Sequence, residues 1–501
     1  MRTLWIFGSL LLALGVGAAT PQDKAPVPDA TSQQKAEKEV RGVYTKEFAQ
    51  KDREGKKSLG QKLLAEAAGT KEPASRYTLL SMSRDLATDS LDFGTAFAAI
   101  DRLYEGFELV KAPLTGATFS TNLYALKAVL LGKFKSMTLA PEDSYALLDA
   151  YLKLAQGALA GRQLDDAVTW ADLAAKNLKD PPLIAKAADL AKELRDTKKE
   201  DEEFPKAEAQ LAAKPDDPEA NAFLGRYYFF VRGEAEKGIA MLAKAADPLV
   251  KDAARREASN PAELDAQVEL GDVWWSLAKK EKSLLVKRRY EGRARFWLDK
   301  VFAAGTGLVR SKAEKRIDEI EESHASGPIV DLLQLIDPKK DGGSGSWEKT
   351  GAGLSSPKPV APASLSIPYV PPQEFDLKLT LEKRDIHVLH VLLAAADLSF
   401  ILDNQSTSSS IRVGSRDVVA CGSVIPKDKT TRVVCSVRLT GVTILVDGKP
   451  VLEWKGNYVR GSQESPSKEG PPKVMSLNTW GSWYITKMTL IPLFGQGKKL
   501  R

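Results

Sequence analysis

Residues 442–456 read VTILVDGKPVLEWKG. An apolar run from Val442 to Val446 meets Asp447-Gly448, and a second run closes on Trp454. Asp-Gly between two such runs is a hairpin signal, because both residues adopt positive φ at little cost. The segments around it show what the hairpin belongs to. FDLKLTL (375–381) places Phe375, Leu377, Leu379 and Leu381 on one face of a strand. LSFIL, SSIRV, TRVVCSVRL, KVMSLN and WYITKMTLIPL have the same alternating texture. Short strands separated by turn residues at roughly 8–12-residue spacing predict an all-β sandwich or barrel over residues 345–494.

Upstream the texture differs. From Leu63 to Ser323 Ala and Leu recur at three-to-four spacing, the period of amphipathic helices. In YLKLAQGALAGRQLDDAVTWADLAAKNLKDP, Tyr151, Leu154, Ala155 and Ala158 are answered by Ala167, Ala171 and Ala174, with Pro181 closing the pair. Leu224-Gly225, Tyr228, Ala240 and Ala245-Ala246 repeat the theme, as do Leu270-Gly271, Trp274-Trp275, Ala294 and Trp297. Small residues belong where two helices cross closely, and large ones fill the gaps between neighbours. These offsets resemble tetratricopeptide helix pairs, so the expected fold is an α-helical repeat (tetratricopeptide-like) array followed by a β-sandwich jelly roll.

The expected division is a signal peptide (1–19), a polar leader (20–60), the helical array (61–327), a linker (328–344), the sandwich (345–494) and a basic tail (495–501). Arg2, the apolar run Leu4–Val16 and the small residues Gly17-Ala18-Ala19 match a secretory signal, with cleavage before Thr20. Export to the periplasm, cell envelope or extracellular space follows from that reading. Gly327-Pro328 and Gly342-Gly343 mark a crossing at which helical array and sandwich are expected to separate into independently folding parts.

The 501-residue chain carries 72 basic and 66 acidic residues, largely interleaved, for a net charge of +6. That is a solvated surface rather than the concentrated basic face nucleic acid requires. Cys421 and Cys435 are the two cysteines. They could bridge neighbouring strands through the turn-rich segment between them, or stand as two buried thiols, since Cys435 alternates with Val433, Val437 and Leu439.

The β region resembles the concanavalin/laminin-G-like jelly rolls, including the 3-keto-disaccharide hydrolase type. GSGSWEKTGAGLSS, YVPPQEFDLKLTL, the 442–456 hairpin and LNTWGSWYITKMTLIPL carry that resemblance. With PASRYTLLSMSRDLA, LGDVWWSLA and VDLLQLIDPKKDGGSGSW, the chain is similar to exported bacterial proteins of the planctomycete kind. Calcium is common in laminin-G-like domains, but no compact Asp/Asn cluster is present.

Retaining glucanases of this architecture hold two carboxylates on one strand in a Glu-x-Asp-x-x-Glu pattern. Here Glu374 and Asp376 fit its start, but Leu379 stands where the second catalytic Glu belongs. The pair therefore reads as two solvated carboxylates at a strand entrance. His387 and His390 face opposite sides of a strand, and His324 ends a charged helix, where it is expected to be exposed, so no metal or cofactor is expected. Trp454, Trp480, Trp483 and Tyr484 are the candidates for stacking on sugar rings, with Tyr458 beyond the hairpin. Each Trp also has a reading as sandwich packing. Trp274-Trp275 and Trp297 read as packing between helices.

These observations lead to the expectation of an exported, non-catalytic recognition or scaffold protein. Its helical array would contact protein and its sandwich would bind glycan or protein. The alternatives are a glycoside-processing enzyme of the concanavalin-like/3-keto-disaccharide hydrolase type and a structural envelope protein.

Overall fold

The structure is a computed structural model that describes residues 24–109, 123–135, 137–351, 353–356, 362–385, 388–393, 398–405, 407–439, 441–456 and 474–500. The signal-peptide expectation, Tyr458 and His387 lie outside these residues. Among those described, no helix is long and apolar enough to cross a membrane.

The helices are α1 (Ala30–Val43), α2 (Thr45–Ala49), α3 (Arg53–Gly69), α4 (Pro73–Asp89), α5 (Phe93–Gly106), α6 (Leu123–Gly132), α7 (Pro141–Ala160), α8 (Leu164–Asn177), α9 (Pro181–Ala213), α10 (Pro218–Arg226), α11 (Ala235–Leu242), α12 (Pro248–Ser259), α13 (Leu264–Lys280), α14 (Leu284–Ala304), α15 (Gly307–Glu322), α16 (Leu332–Leu335) and α17 (Pro338–Asp341). A π-helical stretch, Tyr227–Arg232, continues α10. The chain divides into two compact units at Asp201/Glu202, inside α9.

In the first unit the helix starts are written by acidic residues. Asp29 accepts from the Ser32 N–H and Asp52 from the Gly55 N–H. Glu72 accepts from Ala74 and Ser75, with Pro73 filling the first helical position. Acid-Pro pairs recur as Asp217-Pro218 and Asp247-Pro248 in the second unit. A carboxylate there satisfies free N–H groups, and proline needs no partner for the one it lacks. The core under α1, α3, α4 and α5 holds Val40, Leu59, Leu63, Leu80 and Leu103.

In the second unit α13, α14 and α15 pack around Trp274, Trp297, Leu298 and Ile317. A Cβ on Gly271 would stand 2.8 Å from the Leu298 Cγ, so α13 and α14 cross where that side chain is absent. The buried Glu257 accepts from Trp274 Nε1 at 2.8 Å and from Trp297 Nε1 at 3.0 Å, and pairs with Arg293. These tryptophans are buried packing groups whose polar ends are satisfied.

The strands are β1 (Val330–Asp331), β2 (Gly342–Ser344), β3 (Glu348–Thr350), β4 (Gly353–Ser355), β5 (Ala363–Ile367), β6 (Tyr369–Val370), β7 (Glu374–Lys383), β8 (Val388–Leu392), β9 (Leu398–Asn404), β10 (Ser408–Val413), β11 (Arg416–Gly422), β12 (Thr430–Arg438), β13 (Gly441–Val446), β14 (Lys449–Lys455), β15 (Met475–Trp480), β16 (Trp483–Phe494) and β17 (Lys498–Lys499). One antiparallel sheet runs β14-β13-β12-β7-β16-β4-β3, with β1 also on β16, and the other β11-β10-β9-β8-β15-β5-β2. Their facing sides share one core, built from Phe375, Leu377 and Leu379 on one sheet and Leu389, Phe400 and Leu477 on the other. The 442–456 hairpin is β13–β14, and Asp447 (φ 46) and Gly448 (φ 78) make its turn.

That turn lies against the helices. Arg310 donates to Asp447 Oδ1 at 3.0 Å, and a Cβ on Gly448 would meet the Phe302 ring at 3.6 Å. Beside it, α15 lays Asp318 and Glu321 on the outer face of the eight-stranded sheet. Asp318 accepts from Lys378 at 2.7 Å, Arg432 at 2.8 Å and Lys487 at 2.7 Å. Glu321 pairs with Lys378 at 2.6 Å and Arg432 at 3.1 Å, and also with Arg295 of α14. Lys378 and Arg432 keep only 3% and 7% of their side-chain surface exposed. Residues 202–327 thus belong to the same compact unit as the sandwich.

Burial opposes ionisation of Glu321, but Arg295, Arg432 and Lys378 outweigh it and hold its carboxyl well below the usual range. Asp318 is lowered in the same way, with Arg432 and Lys378 overcoming burial. The stability these carboxylates contribute is therefore complete above their unfolded pKa, near about 4, and is lost as pH falls below it. Glu321→Ala, which strands buried cations, should cost about 3–5 kcal/mol. Urea unfolding followed by tryptophan fluorescence should record that loss as one transition shared by α13–α15 and the sandwich. Two separate transitions would show that the ion cluster does not couple them.

Candidate functional site

The residues singled out from sequence are dispersed. Trp483 opens β16 fully buried in the core. Its N–H donates to Ser356 Oγ at 2.8 Å and that hydroxyl donates to the Gly481 carbonyl at 2.7 Å, clamping the strand start so that the ring turns inward. The expectation that Trp483 could stack on a ligand is corrected by this burial. Trp454 is half-buried on the edge strand β14 and packs on the core. Tyr484 is half-buried on the eight-stranded sheet, with the Arg384 guanidinium 4.4 Å from its ring centre. Trp480 ends β15 on the other sheet with 57% of its surface exposed.

Glu374 and Asp376 are buried rather than solvated. Asp376 accepts from Arg438 at 2.8 Å, and Glu374 accepts from the Leu439 N–H at 3.1 Å. Both lie on the sheet whose outer face α15 occupies. Cys421 and Cys435 are free thiols. Cys435 is buried in the core on β12 of the eight-stranded sheet while Cys421 lies on β11 of the other sheet, and burial pushes the Cys435 thiol far above its ordinary value. His324 is half-buried, with Nε2 2.8 Å from Glu291, rather than exposed on its helix end. Among the described residues no group of His, Cys, Asp and Glu could hold a metal ion.

What the sheet order does bring together lies on the outer face of the seven-stranded sheet. In β15, Met475, Leu477 and Thr479 point to the core, while Ser476, Asn478 and Trp480 point out. In β5, Ser364 and Ser366 point out between Ala363, Leu365 and Ile367. The register then sets Ser364, Asn478, His390, Ile401 and Ser410 side by side across β5, β15, β8, β9 and β10. A second row carries Ser366, Ser476, Leu392, Ser399 and Arg412. Trp480 stands beyond the first row, opposite Val388.

The chemistry of this face is short and uncharged. Among the described residues no hydrogen bond engages the side chains of Asn478, Ser476 or Ser366. Arg412 is already engaged, 3.1 Å from Asp417 and donating to the Ser415 carbonyl at 2.8 Å, and Ser410 donates to Asp417 at 2.9 Å. Burial, and next the Arg412 charge, lower His390 to about 4, so the ring is neutral near neutral pH. Its Nε2 is covered and has no hydrogen-bond partner among the described residues.

Beneath the face, Asp403 of β9 is fully buried and ties the two sheets together. It accepts from Lys383 of β7 at 2.5 Å, from Ser423 at 3.0 Å, and from the N–H groups of Val424 at 2.6 Å and Ile425 at 3.2 Å. Sequence reasoning passed over Asn478, Ser476, His390 and Arg412 as site members. The available signal was the outward half of each alternation, which in MSLNTW and ASLSI is Ser or Asn where a solvated face commonly carries Lys and Glu.

No known protein family matches the chain, and no curated protein is similar to it. Among solved structures, it is similar to a carbohydrate-binding module of Bacillus subtilis at 12% identity and TM-score 0.24, over 30% of this chain and 93% of that one. It is similar at 11% identity and TM-score 0.25 to a Bacillus subtilis protein of unknown function with a galectin-like fold, over 34% of this chain and 98% of that one. A galectin of Caenorhabditis elegans matches at 12% identity and TM-score 0.19, over 28% of this chain and 99% of that one.

Proposed function

We propose that the outer face of the seven-stranded sheet is a glycan-binding surface and that the protein is an exported, non-catalytic recognition protein. The observation that carries this reading is the outward-facing set Ser364, Ser366, Ser476 and Asn478 of the paired strands β5 and β15, beside an exposed tryptophan. A sugar ring offers hydroxyls around its edge and an apolar C–H face. Hydroxyl and amide side chains answer the first, and an indole plane answers the second. The acidic pair lends no support to hydrolysis, since Asp376 is engaged by Arg438 and hydrolysis through two carboxylates needs both beside the scissile bond. Export rests on the N-terminal sequence alone, and N-terminal sequencing of the secreted chain should begin at Thr20.

A protein-binding role for the helices draws on a groove of about 510 Å³ among α1–α4. Phe48, Leu59 and Met82 line it beside charged groups such as Arg41 and Asp85, with Thr78 and Ser81, whose buried hydroxyls have no hydrogen-bond partner among the described residues.

Two tryptophans test the glycan reading. Trp480→Ala should weaken binding about tenfold, equivalent to about 1.4 kcal/mol, with an unchanged melting temperature. Trp483→Ala should instead destabilise the fold by about 3–5 kcal/mol. Equal affinity in wild type and Trp480→Ala would remove the ring from the site.

The lowered His390 provides a pH test. Between about 6.5 and about 4 the unfolded chain takes up a proton on this residue that the folded chain does not, so stability falls as pH drops through that window. His390→Gln should flatten that part of the stability profile, and unchanged pH dependence would show that the ring titrates normally.

A further inference from the structure

Building on the glycan reading, we infer that Ser356 and Thr479 are positioning residues, which act on the ligand through Trp480 by holding its indole ready to stack on a neutral sugar ring. Trp480 is the last of three side chains, after Ser476 and Asn478, that leave the same face of β15. Ser366 and Ser364 stand opposite Ser476 and Asn478 on β5, and none of these five side chains is charged. The indole can therefore take the C–H side of an uncharged ring while an amide and a hydroxyl lie two and four residues away along the same strand.

An exposed residue at the end of a strand ordinarily moves with a loose backbone. Here both chain neighbours of Trp480 are fixed by hydroxyls that are themselves buried. On one side Thr479 points to the core and donates to the Val388 carbonyl at 2.7 Å, and Val388 is also the register partner of Trp480 on β8. On the other side the Ser356 hydroxyl donates to the Gly481 carbonyl at 2.7 Å and accepts the Trp483 N–H at 2.8 Å. Gly481 takes φ 143, a conformation that residues with a side chain rarely adopt. Two residues, Gly481 and Ser482, thus carry the chain from the outward ring of Trp480 on one sheet to the buried ring of Trp483 on the other, with hydrogen bonds holding both ends. Ordering a side chain and its backbone during binding subtracts from affinity, and a backbone ordered beforehand removes part of that cost. Ser356 and Thr479 keep only 4% and 3% of their surface exposed, so their effect on a ligand has to pass through the residue between them.

Titration calorimetry on the full chain, with neutral di- to tetrasaccharides of glucose, galactose and xylose, tests this alongside the indole N–H resonance of Trp480, assigned by its loss in Trp480→Phe. Ser356→Ala and Thr479→Val should each weaken binding of the oligomers that the wild type takes by about threefold to tenfold, and should broaden or split the Trp480 resonance. Thr479→Ser, which keeps the hydroxyl, should restore both. In a Trp480→Ala background neither Ser356→Ala nor Thr479→Val should lower affinity further, because residues that act as a unit are not additive. An equal further loss in that background shows a merely structural role and overturns the inference. Unchanged affinity in Ser356→Ala and Thr479→Val overturns it while leaving the glycan reading in place. If Ser356→Ala does not fold, the comparison of Thr479→Val with Thr479→Ser decides alone. Failure of every oligomer to bind the wild type overturns the glycan reading, and the resonance then judges the positioning by itself: a line that broadens in both variants supports it, and an unchanged line overturns it.

Discussion

The ion cluster under α15 decides which outer face of the sandwich the helices cover. Lys378, Arg432 and Lys487 project from neighbouring strands of one sheet, and Asp318 and Glu321 close over them from a helix. Desolvating this many charges is expensive, and an apolar interface of the same area could be equally stable. What the charges add is orientation: a rotation of α15 that carried Asp318 and Glu321 off the sheet would leave Lys378 and Arg432 buried without them. The hairpin at Asp447 is held by the same logic, since its carboxylate accepts from both Arg310 of α15 and the Arg432 N–H.

That closure separates the two outer faces by chemistry. The covered face carries long charged side chains that need partners from the helices. On β5 and β15 the seven-stranded sheet carries short hydroxyl and amide groups, for which water is an adequate partner. Glu374 and Asp376, the residues that most resemble catalytic machinery in sequence, belong to the covered sheet and are spent on Arg438 and the Leu439 N–H.

Much of this was legible in the sequence, because it depends on local period. The hairpin turn at Asp447-Gly448, the alternation of Phe375, Leu377 and Leu379, and the helical spacing around Trp274 and Trp297 all act within a few residues. Gly271 was readable as a close crossing for the same reason. The misreadings share another cause. Trp483 points inward because Ser356, distant in the chain, clamps its backbone. Asp318 and Arg432 find each other across 114 residues, and nothing in either neighbourhood announces the other. The candidate site was half legible: Trp480 was visible as an aromatic beside Gly481, but its polar companions required knowing that β15 lies between β5 and β8.

The seven-stranded sheet rests on a buried charge. Each hydrogen bond to a sugar contributes little net free energy, so affinity depends on holding several groups in place before the ligand arrives. Asp403 supplies part of that order. Its carboxylate joins β9 to Lys383 of the opposite sheet and to the backbone at Val424 and Ile425, fixing one of the strands across which the polar row runs. On the neighbouring strands, Arg412 of β10 pairs with Asp417 of β11 at 3.1 Å. Both interactions act at the β9–β11 end of the sheet, whereas the outward serines and asparagine lie on β5 and β15 towards its other end.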